Sequence, residues 1–346
     1  MVNRRVFVVG VGMTKFEKPF AKKWDYPDMA REAGFEKMEG GLSERYTDRT
    51  SPVKRHMAHM TTLGANPDLI QPRMNNMTSD VIKLFVYAGR EYLKKYPSAK
   101  YEDFVEIAYK NRKQGLNNPN ASLPRLPSKD TISKKAVLSY PITFWMSAPT
   151  ADGSAAAIVC SEDFVKKNGL QGQAIEIKAQ HMVTDLPSTF DKSFMDLSGY
   201  TMAKIAADKC YKDSGISAQD IDVAEVHDCF SCNELFMYEA LKFCDEGNGY
   251  RLIRDSTWKQ NSNGGEVCVL GNGLVVNPSG GLESKGHPIG ATGLAQCFEL
   301  VNQLRSKCGK RQVDGAKVAL QHNFGIGGAA VVTLYGQYSP SFTARL

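Results

Sequence analysis

The stretch 275–293, V-V-N-P-S-G-G-L-E-S-K-G-H-P-I-G-A-T-G, constrains this chain more than any other. It opens on the apolar residues Leu274, Val275 and Val276, which read as a strand, and closes on an expected helix over about 291–304. Gly280, Gly281, Gly286 and Gly290 surround His287 between them. Glycine is required where a backbone takes positive φ or comes close to another chain or a ligand. A histidine clamped at such a strand-to-helix turn suits proton transfer, because imidazole titrates near neutrality. A tight structural turn with a solvated histidine is the plainer alternative. Two further segments end alike. Residues 221–226 alternate towards a strand and run into His227-Asp228-Cys229-Phe230. Residues 317–320 form another short apolar strand, followed by His322-Asn323-Phe324-Gly325-Ile326-Gly327-Gly328. In an α/β sheet, residues just past the carboxyl ends of parallel strands converge on one crevice. His227, Cys229, His287, Asn323 and the Gly325 backbone are therefore expected to share a site.

These motifs carry a resemblance. The H-D-C-F beginning at His227, the N-P-S-G-G-L-x-S-K-G-H-P-x-G-A-T-G beginning at Asn277 and the H-N-x-G-x-G-G beginning at His322 closely resemble the sterol-carrier-type thiolases, the family of the thiolase domain of sterol carrier protein X. The R-R-V-F-V-V-G-V-G-M-T-K-F of residues 4–16, the D-L-P-S of 185–188 and the run 310–335 fit the same family, so the resemblance spans nearly the whole chain. It implies an α/β thiolase fold: duplicated βαβαβ halves packed face to face in five layers, α/β/α/β/α, with an α-rich loop domain over the coenzyme A substrate.

At 346 residues, with 42% hydrophobic and 23% charged residues, the chain is long enough for one large α/β unit or two halves. A net charge of +6, from 43 basic and 37 acidic residues, helps attract a polyanion such as coenzyme A, though a plain basic surface explains it equally well. No block of like charge points to nucleic acid, and no apolar run is long enough to span a membrane. Eight cysteines without a framework spacing fit a reducing compartment. The final Ala344-Arg345-Leu346 resembles the S-K-L peroxisomal address, so a peroxisomal import receptor is an expected partner and the peroxisome the expected location, with the cytoplasm as the alternative.

In chain order, residues 6–11 read as a buried strand. Asp25, Pro27 and Asp28 begin a helix that Gly34 cuts short, and 35–41 read as loop. Residues 46–138 turn rich in Lys, Arg, Asn, Met and Pro, with helices expected near 79–95 and 101–112. Their Met57, Met60, Met74 and Met77 read as helix core more readily than as a flexible apolar surface. Core pattern returns at 148–160. A second α/β set then runs through a strand from Ala174, helices over 200–213 and 233–243, and last strands at 318–321 and 329–335. This second half has a full βαβαβ complement, which predicts a mostly parallel sheet. The expected domains are 1–45 with 148–172 as a remnant of the N-terminal thiolase half, 46–147 as the loop domain, and 173–346 as the C-terminal half. Against the family the chain jumps between Gly34 and Phe35. At about 30 residues per βαβ unit, roughly 60 to 80 residues are missing there, and the first half is incomplete.

That gap matters for chemistry. The resemblance implies thiolytic cleavage of a 3-oxoacyl-CoA, with 2-methyl-branched chains included, to acyl-CoA plus acetyl- or propanoyl-CoA in peroxisomal lipid oxidation. Coenzyme A is then a co-substrate, no cofactor is bound covalently, and a homodimer is the expected assembly. By motif, His287 corresponds to the histidine that activates the nucleophile and binds the thioester oxygen. His227 corresponds to the group that orients a water in the first oxyanion hole, and Cys229 to the acid/base cysteine. Asn323 to Gly325 correspond to the loop whose Gly325 N–H is a donor of the second oxyanion hole. The nucleophilic cysteine belongs in an N-C-A-T-G-like turn that falls inside the gap, so this chain has none. Cys160, Cys210, Cys244, Cys268, Cys297 and Cys308 lack an activating motif. Cys229 and Cys232 also form a C-x-x-C, the spacing of a redox pair or half a metal site. Nothing in the sequence completes a four-ligand zinc site, and no metal is expected. The alternative function is a catalytically inactive protein of this fold that binds acyl-CoA or lipid, or regulates an intact partner. A third reading is a chain left unstable by its uncovered sheet edges.

Overall fold

The computed structural model describes residues 5–18, 21, 80–135, 137–191, 193–326 and 328–339. The helix start at Asp25, the Gly34–Phe35 junction, the methionine cluster from Met57 to Met77 and the terminal Ala344-Arg345-Leu346 lie outside them. The chain runs through β1 (Val6–Met13), α1 (Asp80–Lys95), α2 (Tyr101–Gly115), α3 (Lys129–Lys134) and the small hairpin β2 (Val137–Ser139) and β3 (Ile142–Thr143). Next come β4 (Ala155–Ser161), α4 (Glu162–Lys167), β5 (Ile175–Thr184), α5 (Phe194–Leu197), α6 (Tyr200–Ser214), β6 (Val223–Glu225), α7 (Ser231–Ala240) and α8 (Gly249–Arg254). It closes with β7 (Thr257–Gln260), β8 (Glu266–Val269), β9 (Val275–Val276), α9 (Gly281–Lys285), α10 (Thr292–Leu304), β10 (Val318–Gly325) and β11 (Ala329–Gln337).

Nine strands form one sheet in the order β4-β1-β5-β11-β10-β6-β9-β8-β7. The mostly parallel sheet expected from the sequence is corrected here. Only β10–β6 and β6–β9 pair in parallel; the other six neighbours are antiparallel. The reason lies in the connections. Helices carry the chain between β6, β9 and β10, and only such crossovers return a strand in the same direction, whereas short turns join β7 to β8 and β10 to β11. The hairpin of β7 and β8, with N-S-N-G-G at its turn, has no counterpart among the expected strands.

The two strands left from the first half extend this same sheet. β1 pairs with β4 along its length and with β5 only through Val6, Phe7 and Val8. On one face α10 packs Leu300, Val301 and Leu304 against Val8, Val223, Val275 and Ala319. On the other face α6 and α7 join α1 and α2 in the main core. α2 is built into that core. Its Phe104, Ile107 and Ala108 are buried, and so are the polar Lys110, Asn111, Arg112 and Gln114.

Candidate active site

β6 is wholly buried, and Val226 leads from it into His227, Asp228 and Cys229, which are 4%, 0% and 7% exposed. Four hydrogen bonds hold this loop. The Val226 N–H donates to Asn277 Oδ1 (2.9 Å), and Asn233 Nδ2 donates to the His227 carbonyl (2.5 Å). The Asp228 carboxylate accepts the Leu282 N–H at 2.7 Å and Asn111 Nδ2 at 3.0 Å. This last contact explains a glycine. Gly281 sits at φ +58, and a Cβ there would fall 2.0 Å from Asp228 Oδ2, so no larger residue fits.

The glycine-rich turn delivers His287 to the same place. Gly286 takes φ +107, and a Cβ on it would meet Ser122 Oγ at 2.7 Å and Ala151 Cβ at 2.9 Å. A short extended strap separates the two loops: the Ala148 N–H donates to the Cys229 carbonyl (2.9 Å), and the His287 N–H donates to the Pro149 carbonyl (3.1 Å). Arg112 reaches up from α2 to the strap, donating to the carbonyls of Trp145 and Ser147 (3.2 Å each). The rings of His227 and His287 then meet edge to face, 5.0 Å apart at 85°.

β10 brings a third histidine. The strand was expected to stop near Leu320, with His322 to Gly325 as a loop beyond it; instead it runs to Gly325, paired with β11 throughout. Its alternation sends His322 and Phe324 towards His227. His322 Nδ1 lies 3.5 Å from the His227 backbone nitrogen, and the Phe324 ring lies 6.1 Å from the His227 ring. Asn323 faces the other way, donating to Gln296 Oε1 of α10 at 3.1 Å, so it is not among the groups that meet at His227. Gly325 ends the strand and is exposed. Of the five expected site residues, the structure gathers His227, Cys229 and His287; His322 is the one the sequence reading missed. Its period-two relation to Phe324 was the available signal.

Burial sets the protonation of this cluster. It lowers His287 to about 4 and His322 to about 3, and it lowers His227 well below the usual imidazole range, helped by the other two histidines. Burial likewise pushes the Cys229 thiol well up, with Cys232 and Asp228 adding to it. At neutral pH the site therefore holds three neutral imidazoles and a protonated thiol. Those groups can donate hydrogen bonds and pass protons. Two of their atoms, His227 Nδ1 and His322 Nε2, have no protein partner.

Beneath the loops lies a buried ionic network. Lys110 pairs with Glu234 Oε1 at 2.8 Å, both essentially unexposed, and Asn111 and Asn277 donate to Glu234 Oε2. Glu283 accepts from Ser231 Oγ at 2.6 Å, and burial raises its carboxyl to about 8 against the pull of Arg112. Lys285 and Ser279 similarly hold Glu225. Among the described residues no group of three His, Cys, Asp or Glu side chains is arranged to hold a metal ion, and no helix is long and apolar enough to cross a membrane.

A mixed sheet with helices on both faces, and histidines from H-D-C-F and G-H-P in contact, fits a thiolase-type α/β protein. Comparison with known proteins agrees. Residues 189–337 match the family described as Thiolase C-terminal domain-like. Sterol carrier protein 2 of Rattus norvegicus is 42% identical over 412 residues, covering 96% of this chain and 72% of that protein. Non-specific lipid-transfer protein-like 2 of Caenorhabditis elegans is 34% identical over 415 residues, covering 96% of both chains. The chain belongs to the sterol-carrier-type thiolase family. In fold it also superposes on a solved chain of the Ltp2-ChsH2(DUF35) aldolase, with a TM-score of 0.71, 16% identity and coverage of 96% and 98%. One detail of the rat alignment bears on chemistry. The 96% of 346 residues amounts to about 332, so about 80 of the 412 aligned positions face no residue of this chain.

Proposed function

We propose that the site belongs to thiolytic cleavage of 3-oxoacyl-CoA, 2-methyl-branched chains included, and that this chain as it stands keeps the substrate-binding and proton-handling part of that reaction without its covalent step. His287 binds the thioester oxygen and is the base that a nucleophilic thiol would need. His227 orients a water, Cys229 moves a proton at the substrate's second carbon, and the Gly325 N–H is an oxyanion donor. The convergence of His227, Cys229 and His287 around the 148–149 strap is the observation that carries this reading.

The covalent step needs a thiolate. No N-C-A-T-G-like turn occurs in the sequence, and about 80 family positions are without counterpart, in keeping with a gap at Gly34–Phe35. Burial raises the thiols of Cys160, Cys210, Cys229, Cys232, Cys244, Cys268, Cys297 and Cys308 alike, so none of the eight is poised as a nucleophile. This favours the second reading for the chain itself, an acyl-CoA-binding protein of thiolase descent. The peroxisome as its location, a homodimeric assembly and the division at 46–147 and 173–346 belong to the same proposal.

Purified chain is expected to bind coenzyme A by calorimetry and to show no thiolysis of acetoacetyl-CoA. Inserting the corresponding residues of the Caenorhabditis elegans relative between Gly34 and Phe35 is expected to raise thiolysis by a factor on the order of 10⁴. Turnover by the uninserted chain at a rate near that of the relative would sink the proposal, as would an inserted chain that binds coenzyme A and stays silent.

A further inference from the structure

Among the described residues His287 makes one side-chain hydrogen bond, and it bears on which ring nitrogen carries the proton. Its Nδ1 lies 2.7 Å from the Thr292 hydroxyl oxygen, at the first position of α10. That same hydroxyl lies 3.2 Å from the Pro288 carbonyl. A carbonyl only accepts, so the single hydroxyl hydrogen serves Pro288, and the oxygen is left to accept from the ring. The rest of the residue is clamped. Its backbone N–H is bonded to Pro149, it bridges in parallel to Thr150, and Gly286 is packed against Ser122 and Ala151. The backbone that carries the ring is therefore fixed by the strap, and the hydrogen bond to Thr292 is what orients the ring on it.

We propose that Thr292 is a positioning residue that holds His287 as the Nδ1–H tautomer and leaves Nε2 as its only basic nitrogen. The proposal deepens the reading of His287 as the proton-handling histidine of an acyl-CoA site and rests on it. In that role the orientation matters: Nε2 first takes the proton of a thiol and only then can donate it to the thioester oxygen. A ring already protonated on Nε2 could donate a hydrogen bond into the site but could not take a proton. The neutral state required for either tautomer is maintained by burial, which keeps the ring unprotonated through the neutral range.

The tautomer is directly readable by nitrogen-15 correlation spectra of the full chain labelled at its six histidines, with the His287 signals assigned by their loss in His287→Asn. At pH 7 the wild type is expected to show a pyrrole-type Nδ1 and a pyridine-type Nε2. Thr292→Ser should keep that pattern. Thr292→Val should lose it, shifting the tautomer ratio by about 5-fold, the effect of one net hydrogen bond. A wild-type ring protonated on Nε2 overturns the proposal, and so does a Thr292→Val ring with an unchanged pattern. Should Thr292→Val fail to fold, the wild-type and Thr292→Ser spectra still decide the tautomer. Coenzyme A titrated into the same samples separates the two levels. Binding with an Nε2–H ring refutes the tautomer and keeps the site reading; an Nδ1–H ring in a chain that does not bind refutes the site reading alone.

Discussion

Three strands of this sheet are buried to degrees that their sequences do not rank. β6 reads Val-Ala-Glu and β9 Val-Val, and all five residues are buried, the glutamate included. β4 reads Ala-Ala-Ala-Ile-Val-Cys-Ser, more apolar than β6, yet Ile158 is 61% exposed and Val159 54%. The difference lies in neighbours. β6 and β9 have strands on both sides and helices on both faces, whereas among the described residues β4 pairs only with β1 and forms one end of the nine-stranded order. A strand's hydrophobicity states what it can bury; its position decides whether it does. The same contrast separates the chemistry. The loops that carry His227 and His287 are cross-braced by buried acidic side chains, while β1 and β4 form an edge among the described residues.

The contrast can be broken or sharpened by experiment. The largest effect is expected from Lys110→Met, which leaves Glu234 without its cation in the buried network. A loss of about 3 to 5 kcal/mol in denaturant unfolding is expected, because an uncompensated buried charge remains. A loss under 1 kcal/mol would mean that the bracing is not electrostatic.

A smaller effect concerns acid. The three site histidines have folded-state pKa values below their unfolded value of about 6.5. The unfolded chain therefore binds more protons on acidification. Their contribution to stability is fully present above about pH 6.5 and is lost as the pH falls towards about 4 for His287 and about 3 for His322. His322→Gln should flatten the slope of stability against pH between 6 and 4 by up to about 1.4 kcal/mol per pH unit. An unchanged slope would place His322 in contact with solvent. The smallest effect is expected at the edge: Ile158→Lys should shift stability by less than about 0.5 kcal/mol while lowering aggregation seen by light scattering. A loss above about 2 kcal/mol would show that β4 is covered after all.

The fold class and the glycine turns were both legible in the sequence. Motif glycines report local geometry, and local geometry is what a turn needs: Gly281 and Gly286 are glycines because a side chain would strike Asp228 in one case and Ser122 in the other. The helices at 80–95 and 101–115 were found within a few residues from their apolar spacing. What α2 does with its polar residues was not visible. K-N-R-K-Q at 110–114 reads as a solvated face, and four of those five residues are buried, with Asn111 bonded to Asp228 and Gln114 to the Asn277 carbonyl. The side on which His322 and Asn323 fall was also hidden, since it depends on β10 continuing to Gly325, and that continuation is decided by pairing with β11.

Sequence alone determined the family, because that is a property of residue type and spacing along the chain. Only the tertiary structure decided the antiparallel character of the sheet, the burial of Lys110, Glu234 and Asp228, the open edge at β4 and the neutral state of the three histidines. Each of these depends on which distant segments come to lie beside a group and exclude water from it. The charge that a group can keep, and the surface it can hide, follow from those neighbours.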